Sequence, residues 1–326
     1  NDLEKLRGLW RNEYFKTAIS ILVLIALFLI FWYGSILYFK NETPYLVVSS
    51  ESMRPTLEIG DLIIVKYVHP SELNYGLLDG DIIVFKSPSN SKELIVHRLK
   101  EITFKDGEYY FVTHGDANPP SSKEKFTEKN YVGKVIARVP FIGHISLFTH
   151  TQEGFYLFAF VIICLIVVFM LFPSETEKQN EEKRKKREEK GILGKVLNFN
   201  FIRFLVLNTL ILGLLIFSLW GTFSFWQPGA DSSNKWVTIR GMYPDLEYHK
   251  NFTKSYLPKV EEVFLYQGLF TYKIDCKMDN GGIRVGVPTF SWAQFSILIL
   301  VLVNVWMITK FLLSKKASAM EQSNET

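Results

Sequence analysis

Two serines and a histidine have the residue types and the spacing of a hydrolytic site. Ser50 and Ser52 lie in the run Ser-Glu-Ser-Met-Arg-Pro-Thr, and His97 follows in Val-His-Arg. A serine hydroxyl is a weak nucleophile at neutral pH and attacks only when a nearby base removes its proton. An ordinary imidazole titrates near pH ~6.5 and can be that base without special burial. The pattern therefore indicates nucleophilic hydrolysis by a serine and a histidine.

Two lysines on strand-like runs, Lys66 and Lys86, are rival bases. A lysine accepts a proton only after burial has lowered its pKa by several units, so His97 is the simpler base. The other histidines and the two cysteines are scattered along the chain, without the spacing of metal ligands. We therefore expect no metal and no cofactor.

Five motifs in the first half of the sequence resemble, in order, the motif boxes of type I signal peptidases. They are Ser-x-Ser-Met-x-Pro-Thr at 50–56, Gly-Asp-Ile-Ile-Val-Phe-Lys at 80–86, Val-His-Arg at 96–98, Thr-x-Gly-Asp-x-Asn at 113–118 and Val-Gly-Lys-Val-x-x-x-Val-Pro-x-Ile-Gly at 132–143. Histidine in the third box, where the common bacterial branch has lysine, is similar to the endoplasmic-reticulum and archaeal branch. The resemblance implies a mostly antiparallel β catalytic domain that cuts signal peptides from exported precursor proteins at the outer membrane face.

The resemblance also implies roles for the serines and the histidine. Ser52 matches the nucleophile of the family, and His97 matches the general base. The hydroxyl of Ser50 and the backbone N–H of Ser52 match the donors that stabilise the oxyanion. Losing one such donor typically costs ~10²–10³ in rate. Glu51, between the two serines, departs from the commoner glycine, and we expect this departure to be tolerated.

The third catalytic residue is less well defined than the serine and the histidine. Asp116 matches the acid of the Gly-Asp box, and it is predicted either to orient His97 or to serve a turn. In the family, a further acid about six residues later often has the orienting role. This sequence has Ser122 at that position, with Glu124 after it. Asp116 is therefore the candidate for the third residue, with the turn as its alternative role.

Four long apolar blocks predict four transmembrane helices. About 20 apolar residues, at ~1.5 Å per residue, cross a hydrocarbon core ~30 Å thick. Lysine and arginine lie before the first block, between the second and third, and after the fourth, which predicts that these segments are cytoplasmic. The predicted order is a cytoplasmic N-terminus at 1–16, spans at 17–39, 155–172, 201–220 and 292–313, a catalytic domain at 40–154, a charged cytoplasmic loop at 173–200, an outside module at 221–291 and a cytoplasmic tail at 314–326.

The two outside segments have the short alternating runs and turn residues of β-structure. In the second outside module, residues 221–291, the run Trp-Val-Thr-Ile-Arg predicts a strand, and Asn280-Gly281 predicts a tight hairpin turn. The predicted fold class is an α+β membrane protein with a mostly antiparallel β catalytic domain, four transmembrane helices and this second, small β-rich module. The module is expected to pack on its neighbours, and a docking surface for substrate or partner is the alternative.

The composition limits the classes of function. A net charge of +4 is too small to indicate a nucleic-acid-binding protein. The expected partners are precursors that carry signal peptides and membrane lipid, with the export machinery as a further candidate. The cell membrane, with the catalytic domain outside, is the expected location, and the endoplasmic-reticulum membrane is the alternative. The competing function is a non-catalytic scaffold of the export machinery. A third alternative, a self-cleaving Ser–Lys peptidase, would need a lysine base and a soluble chain, and the sequence predicts neither.

Overall fold

The computed structural model describes residues 13–171, 199–226 and 236–324. The basic run at 183–187, on which the predicted cytoplasmic loop depends, lies outside these residues. The chain divides into two compact units. The first contains the described residues of 1–46, 63–115 and 122–136, and the second contains those of 47–62, 116–121 and 137–326. The units cut across the order of segments along the chain, since three stretches of the predicted catalytic domain, 47–62, 116–121 and 137–154, belong to the second unit.

The described residues are organised as α-helices and largely antiparallel strands, as the predicted α+β class requires. The helices are α1 at Glu13–Phe39, α2 at Gly143–Thr149, α3 at Gln152–Leu171, α4 at Phe199–Trp220, α5 at Met242–Asn251 and α6 at Trp292–Asn324. The strands are β1 at Tyr45–Val47, β2 at Leu62–Lys66, β3 at Ile82–Lys86, β4 at Leu94–Lys105, β5 at Glu108–His114, β6 at Lys123–Thr127, β7 at Tyr131–Val139, β8 at Thr222–Trp226, β9 at Trp236–Arg240, β10 at Val260–Gln267, β11 at Thr271–Met278, β12 at Ile283–Arg284 and β13 at Thr289–Phe290.

Two helices in the described part of the chain are long and apolar enough to cross a membrane, rather than the four that the sequence predicts. They are Phe15–Phe39 and Trp292–Lys310. The third predicted span corresponds to a shorter apolar stretch, Phe204–Trp220, which at ~1.5 Å per residue rises only ~25 Å. The second predicted span falls in α3, which ends where the described residues stop.

The sheet of the first unit places its strands in the order β7-β3-β4-β5-β6, and all neighbouring pairs are antiparallel. The hairpin between β4 and β5 turns at Asp106-Gly107, where both residues have positive φ, 52° and 84°. An Asp-Gly pair suits this conformation, because aspartate tolerates a left-handed backbone and glycine has no side chain to clash. The turn fixes the register that aligns β4 with β5.

A column of aromatic rings forms the core on one face of this sheet. The rings of Phe85 and Phe126 stack with centroids 4.0 Å apart, Phe126 lies 5.1 Å from Phe111, and Phe111 lies 5.4 Å from Tyr131. Stacked aromatic side chains bury much apolar area and have few rotamers, so they make a rigid support. His97 extends this face, with its ring centroid 6.3 Å from that of Phe85.

The second unit contains most of the second outside module. Strands β10, β12 and β13 each pair antiparallel with β11, while β13 runs parallel to the end of β7, with Thr289 opposite Arg138. The hairpin predicted at Asn280-Gly281 joins β11 to β12, and Gly281 has a φ of +83°. The strand predicted from Trp-Val-Thr-Ile-Arg is β9, which pairs with β8 in a separate ribbon.

A buried guanidinium joins distant stretches of the second unit. Arg138 on β7 is 4% exposed, and it donates to Asp61, to Asp245 on α5 and to the hydroxyl of Thr289. Burial raises the pKa of Asp61 to about 6, although the charge of Arg138 opposes this shift. Burial also acts to raise the pKa of Asp245, but the charges of Arg138 and His249 and a hydrogen bond from Tyr272 together outweigh it, and the pKa of Asp245 is lowered. Two carboxylates thus compete for one cation, and Asp61 is the one whose ionisation is disfavoured.

A polar pair links two apolar helices of the second unit. Asn304 on α6 donates a hydrogen bond of 2.7 Å to the side-chain oxygen of Asn208 on α4. The same amide group of Asn304 also donates to the carbonyl of Leu300, one turn earlier. In apolar surroundings an asparagine without a partner is costly, so this pair fixes which faces of the two helices meet.

Replacing Arg138 with methionine is expected to lower the free energy of unfolding by about 3–5 kcal/mol, because it leaves two buried carboxylates without their shared cation. Denaturant unfolding of the detergent-solubilised protein, followed by tryptophan fluorescence, measures the loss. Lys277→Met is the control, since Lys277 pairs with Glu261 on the exposed surface and its removal should leave the midpoint unchanged. Equal midpoints for the two variants would contradict this account of Arg138.

Candidate active site

The two serines lie on a turn of the second unit, between β1 and β2. Their hydroxyl oxygens are 3.3 Å apart, so Ser50 and Ser52 form a hydrogen-bonded pair at an exposed position. The turn closes through its own backbone, with the N–H of Leu57 donating to the carbonyl of Met53 at 2.9 Å. Both of these apolar side chains are buried, which anchors the turn below the serines. The turn thus presents two hydroxyl groups on a packed base.

The Gly60-Asp61 pair closes this turn, and the glycine is required by its surroundings. Gly60 has a φ of +81°, and a Cβ atom there would lie 2.0 Å from Cε1 of His144. Both the backbone conformation and the close ring exclude a larger residue. The side chain of Asp61 then accepts a hydrogen bond of 2.9 Å from the backbone N–H of Glu58. The motif is therefore structural support for the serine turn.

His97 lies on β4 of the first unit, opposite Ile83 on β3, and its side chain is 6% exposed. Its Nδ1 atom is 2.9 Å from Oε2 of Glu124 on β6. The sheet register explains the contact, because Leu99, Thr113 and Glu124 stand opposite one another across β4, β5 and β6. His97 precedes Leu99 by two residues and so shares its face of the sheet. The imidazole and the carboxylate meet on that face, over the small side chain of Thr113.

The carboxylate of Glu124 fixes the tautomer of the imidazole. Burial alone would raise the pKa of Glu124, but hydrogen bonds from His97 and Thr113 and the charge of the imidazole lower it, and the net direction is downward. An ionised carboxylate only accepts hydrogen bonds, so Nδ1 of His97 is the donor in this pair. The Nε2 atom is then left as a proton acceptor, which is the arrangement that a general base needs.

Asp116, the predicted third catalytic residue, lies in the second unit. Its Oδ2 atom accepts a hydrogen bond of 2.6 Å from the hydroxyl of Thr56, four residues after Ser52. The next residue, Ala117, donates its backbone N–H to the carbonyl of Ser52 at 2.8 Å. The Gly-Asp-Ala stretch therefore contacts the serine turn from its side chain and from its backbone, which fits the turn-supporting role that the sequence left open.

The structure thus brings the predicted site residues together in two groups. Ser50, Ser52 and Asp116 belong to the second unit and His97 belongs to the first, so the pairing of Ser52 with His97 stays a prediction. Glu124 is the functional residue that the sequence did not assign. A signal was present, since an acid two residues beyond Ser122 occupies the same face of a strand.

The rival bases have other surroundings. The ammonium group of Lys66 lies 5.5 Å from the ring centroid of Tyr38, and Lys86 is exposed at the end of β3. Neither lysine is buried, so neither has the desolvation that a lysine base requires. In the described ranges, no group of three histidine, cysteine, aspartate or glutamate side chains is arranged to hold a metal ion.

Comparisons with known proteins give one family model and several similar proteins. Residues 12–110 match the family model described as signal peptidase, peptidase S26. The catalytic subunit SEC11 of the signal peptidase complex from Schizophyllum commune is 30% identical over 169 residues, which cover 45% of this chain and 85% of that protein. The SEC11C catalytic subunit from Rattus norvegicus is 24% identical over 179 residues, covering 52% and 89%. The sec11 subunit from Dictyostelium discoideum is 26% identical over 174 residues, covering 51% and 92%.

These sequence matches identify the family of the chain. The chain belongs to the signal peptidase S26 family, in the part similar to the SEC11 catalytic subunits. Membership in this family indicates a peptide-bond hydrolase. The match to the family model ends at residue 110, so it does not explain the second outside module.

Replacing His97 with glutamine is expected to raise the pKa of Glu124, because burial then acts with less opposition from a neighbouring donor and charge. Carbon-13 NMR of glutamate-labelled protein, titrated in detergent, measures the shift. Thr113→Val is the matched control, since it removes the weaker of the two side-chain hydrogen bonds and should raise the pKa of Glu124 less. If the pKa of Glu124 is the same in wild type and H97Q, the two side chains are not coupled.

Proposed function

We propose that this protein is a membrane-bound serine endopeptidase that removes signal peptides from exported precursors. Ser52 is the nucleophile, and His97 is the general base that takes its proton. The observation that carries the proposal is the hydrogen bond between Nδ1 of His97 and Glu124, because it leaves Nε2 free of the acid and ready to accept a proton. Family membership supplies the reaction class, and the serine motif supplies the nucleophile.

The mechanism follows from the chemistry of these groups. His97 takes the hydroxyl proton as the oxygen of Ser52 attacks the scissile carbonyl, and the carboxylate of Glu124 stabilises the imidazolium that results. The hydroxyl of Ser50 and the backbone N–H of Ser52 stabilise the oxyanion of the tetrahedral intermediate. The imidazolium then gives its proton to the leaving amine, and a water molecule, activated in the same way, hydrolyses the acyl-enzyme.

We assign the orienting role to Glu124 and a turn-supporting role to Asp116. The carboxylate of Glu124 lies within hydrogen-bond distance of the imidazole, and the carboxylate of Asp116 accepts a hydrogen bond from Thr56 in the serine turn. The alternative function, a non-catalytic scaffold with a degenerate peptidase domain, was supported mainly by Ser122 at the expected acid position. Glu124 on β6 offers a carboxylate to His97 in its place, which favours the catalytic function.

The proposed location is a multi-pass membrane setting with the catalytic domain on the outer face. The two helices of spanning length support an association with lipid, and the sequence predicts two further spans. The cell membrane is the first candidate, and the endoplasmic-reticulum membrane with a lumenal catalytic domain is the alternative. The proposed partners are precursors with signal peptides, membrane lipid and the export machinery.

Ser52→Ala and His97→Ala are each expected to lower the cleavage rate of a signal-bearing precursor by at least ~10³-fold, because each removes one member of a unit that acts together. The assay uses purified full-length protein in detergent, with the mature product separated by gel electrophoresis. Ser49→Ala, which changes an exposed neighbour of the same turn, is the matched control and should cleave at the wild-type rate. Wild-type cleavage by S52A would end the proposal.

Glu124→Gln is expected to lower kcat by ~10²–10⁴, since glutamine cannot stabilise the imidazolium by charge. Asp116→Asn retains an acceptor for Thr56 and should lower kcat by less than about tenfold, the effect of one neutral hydrogen bond. Single-turnover cleavage of the same precursor compares the two variants. A larger loss in D116N than in E124Q would return the orienting role to Asp116.

A further inference from the structure

The second outside module reaches the turn that carries Ser52 in two ways. It contacts Glu58 of the turn directly, and it contacts Ala117, which is itself hydrogen-bonded to Ser52. We propose that this module is a positioning element for the nucleophile, acting through the carbonyl of Ala117 and the carboxylate of Glu58. The inference rests on the proposed role of Ser52, and it gives a function to the part of the chain that the family match does not cover. All of these residues belong to the second unit.

The first contact holds the backbone next to Ser52. Ala117 is 2% exposed, and its N–H donates to the carbonyl of Ser52 at 2.8 Å. Its own carbonyl accepts two hydrogen bonds from the module, from Nζ of Lys254 at 2.9 Å and from the hydroxyl of Tyr256 at 2.6 Å. Both lone pairs of one buried carbonyl are therefore used by the module. Ala117 is fixed on one side by Lys254 and Tyr256, and on its other side it fixes Ser52.

The second contact holds the residues that follow Ser52. The carboxylate of Glu58 is 2.8 Å from the guanidinium of Arg240 on β9, and it also accepts a hydrogen bond from Nε of Arg54. The guanidinium of Arg240 in turn lies 3.6 Å from the ring centroid of Tyr248 on α5. A nearly buried carboxylate between two guanidinium groups has little freedom, because each charge-assisted hydrogen bond restricts its direction. The module thus restrains Arg54, two residues after the nucleophile.

These contacts matter because the serine turn has no regular secondary structure of its own. Residues 48–61 contain neither a helix nor a strand, so no ladder of backbone hydrogen bonds sets the position of the hydroxyl. A nucleophile displaced by 1 Å can lose ~10²-fold in rate, since attack needs a narrow range of distance and angle. Besides the hydrogen bonds within the turn, the module adds restraint from outside, directly at Glu58 and beside Ser52 through Ala117.

The test is the double variant Lys254→Met/Tyr256→Phe, which removes both donors to Ala117 and leaves Ser52, His97 and Glu124 unchanged. We expect kcat for precursor cleavage to fall by ~10- to 100-fold with KM unchanged, because in this proposal both side chains act on the position of Ser52 and not on substrate binding. The matched control is Lys259→Met/Tyr266→Phe, which makes the same replacements at exposed positions of the module and should retain wild-type kcat. Lys254→Arg keeps a cationic donor and should recover part of the loss that Lys254→Met causes alone.

Hydrogen exchange at the backbone amide of Ala117 gives a readout that does not depend on catalysis. In the double variant we expect this amide to exchange at least about tenfold faster, because the residue is held from one side only. Faster exchange together with lower kcat supports the proposal. Unchanged exchange, or unchanged kcat despite faster exchange, overturns it. If the double variant does not fold, Lys254→Met and Tyr256→Phe alone are each expected to lower kcat about threefold, and wild-type kcat in both overturns the proposal.

Different variants test the proposed function and the positioning role of the module. If S52A cleaves as fast as wild type, the proposed function is wrong, whatever the module variants do. If S52A is inactive and the double variant matches wild type in kcat and in exchange, the peptidase stands and the positioning role of the module is wrong.

Discussion

Arg138 imposes the constraint on which the second unit depends. A guanidinium that is almost entirely removed from water must be neutralised by carboxylates brought to it, because an unpaired charge costs several kcal/mol in a protein interior. Asp61 comes from the end of the serine turn, and Asp245 and Thr289 come from the second outside module. One side chain therefore requires three stretches of sequence to assemble before it can be buried. The Gly60-Asp61 motif after Ser52 and the second outside module must therefore fold together around Arg138.

The first unit orients the imidazole of His97, the proposed base. His97 stands at the edge of an aromatic column whose rings are stacked, and its Nδ1 atom is bound to Glu124. The carboxylate is delivered by a strand whose register is set by pairing with β5, so its position does not depend on a loop. A regular strand holds a side chain more rigidly than a loop does, because each residue is fixed by its neighbours in the sheet. The imidazole of His97, the proposed base, is thus oriented by residues of the first unit alone.

The sequence predicts the parts of the site that depend on local motifs. The strand at Trp236–Arg240 and the hairpin turn at Gly281 could be assigned from residue types and spacing. The roles of the two serines and of His97 come from the family resemblance and stay predictions. Glu124 was not assigned, because the family pattern expects the acid at Ser122. An acid two residues later would share that face of a strand, but only the pairing of the strands shows that it contacts His97.

The contacts of the second outside module were also beyond sequence reasoning. Arg240 and Lys254 meet Glu58 and Ala117 across more than 100 residues of chain, and nothing in their local sequence indicates these partners. Of the four predicted spans, two are helices of spanning length in the described part of the chain; the third corresponds to the shorter apolar stretch Phe204–Trp220, and the second falls in α3, which ends where the described residues stop.

The asparagine pair between α4 and α6 has a consequence for how the chain can vary. Adding one residue to α6 between its start and Asn304 would rotate that side chain by about 100° around the helix axis and away from Asn208. An amide turned toward lipid has no replacement partner there, so such an insertion is costly even though every neighbouring residue is apolar. The rotation of α6 about its own axis is therefore fixed relative to α4 by this one hydrogen bond. Apolar residues around the pair can be exchanged freely, but residues cannot be added or removed one at a time.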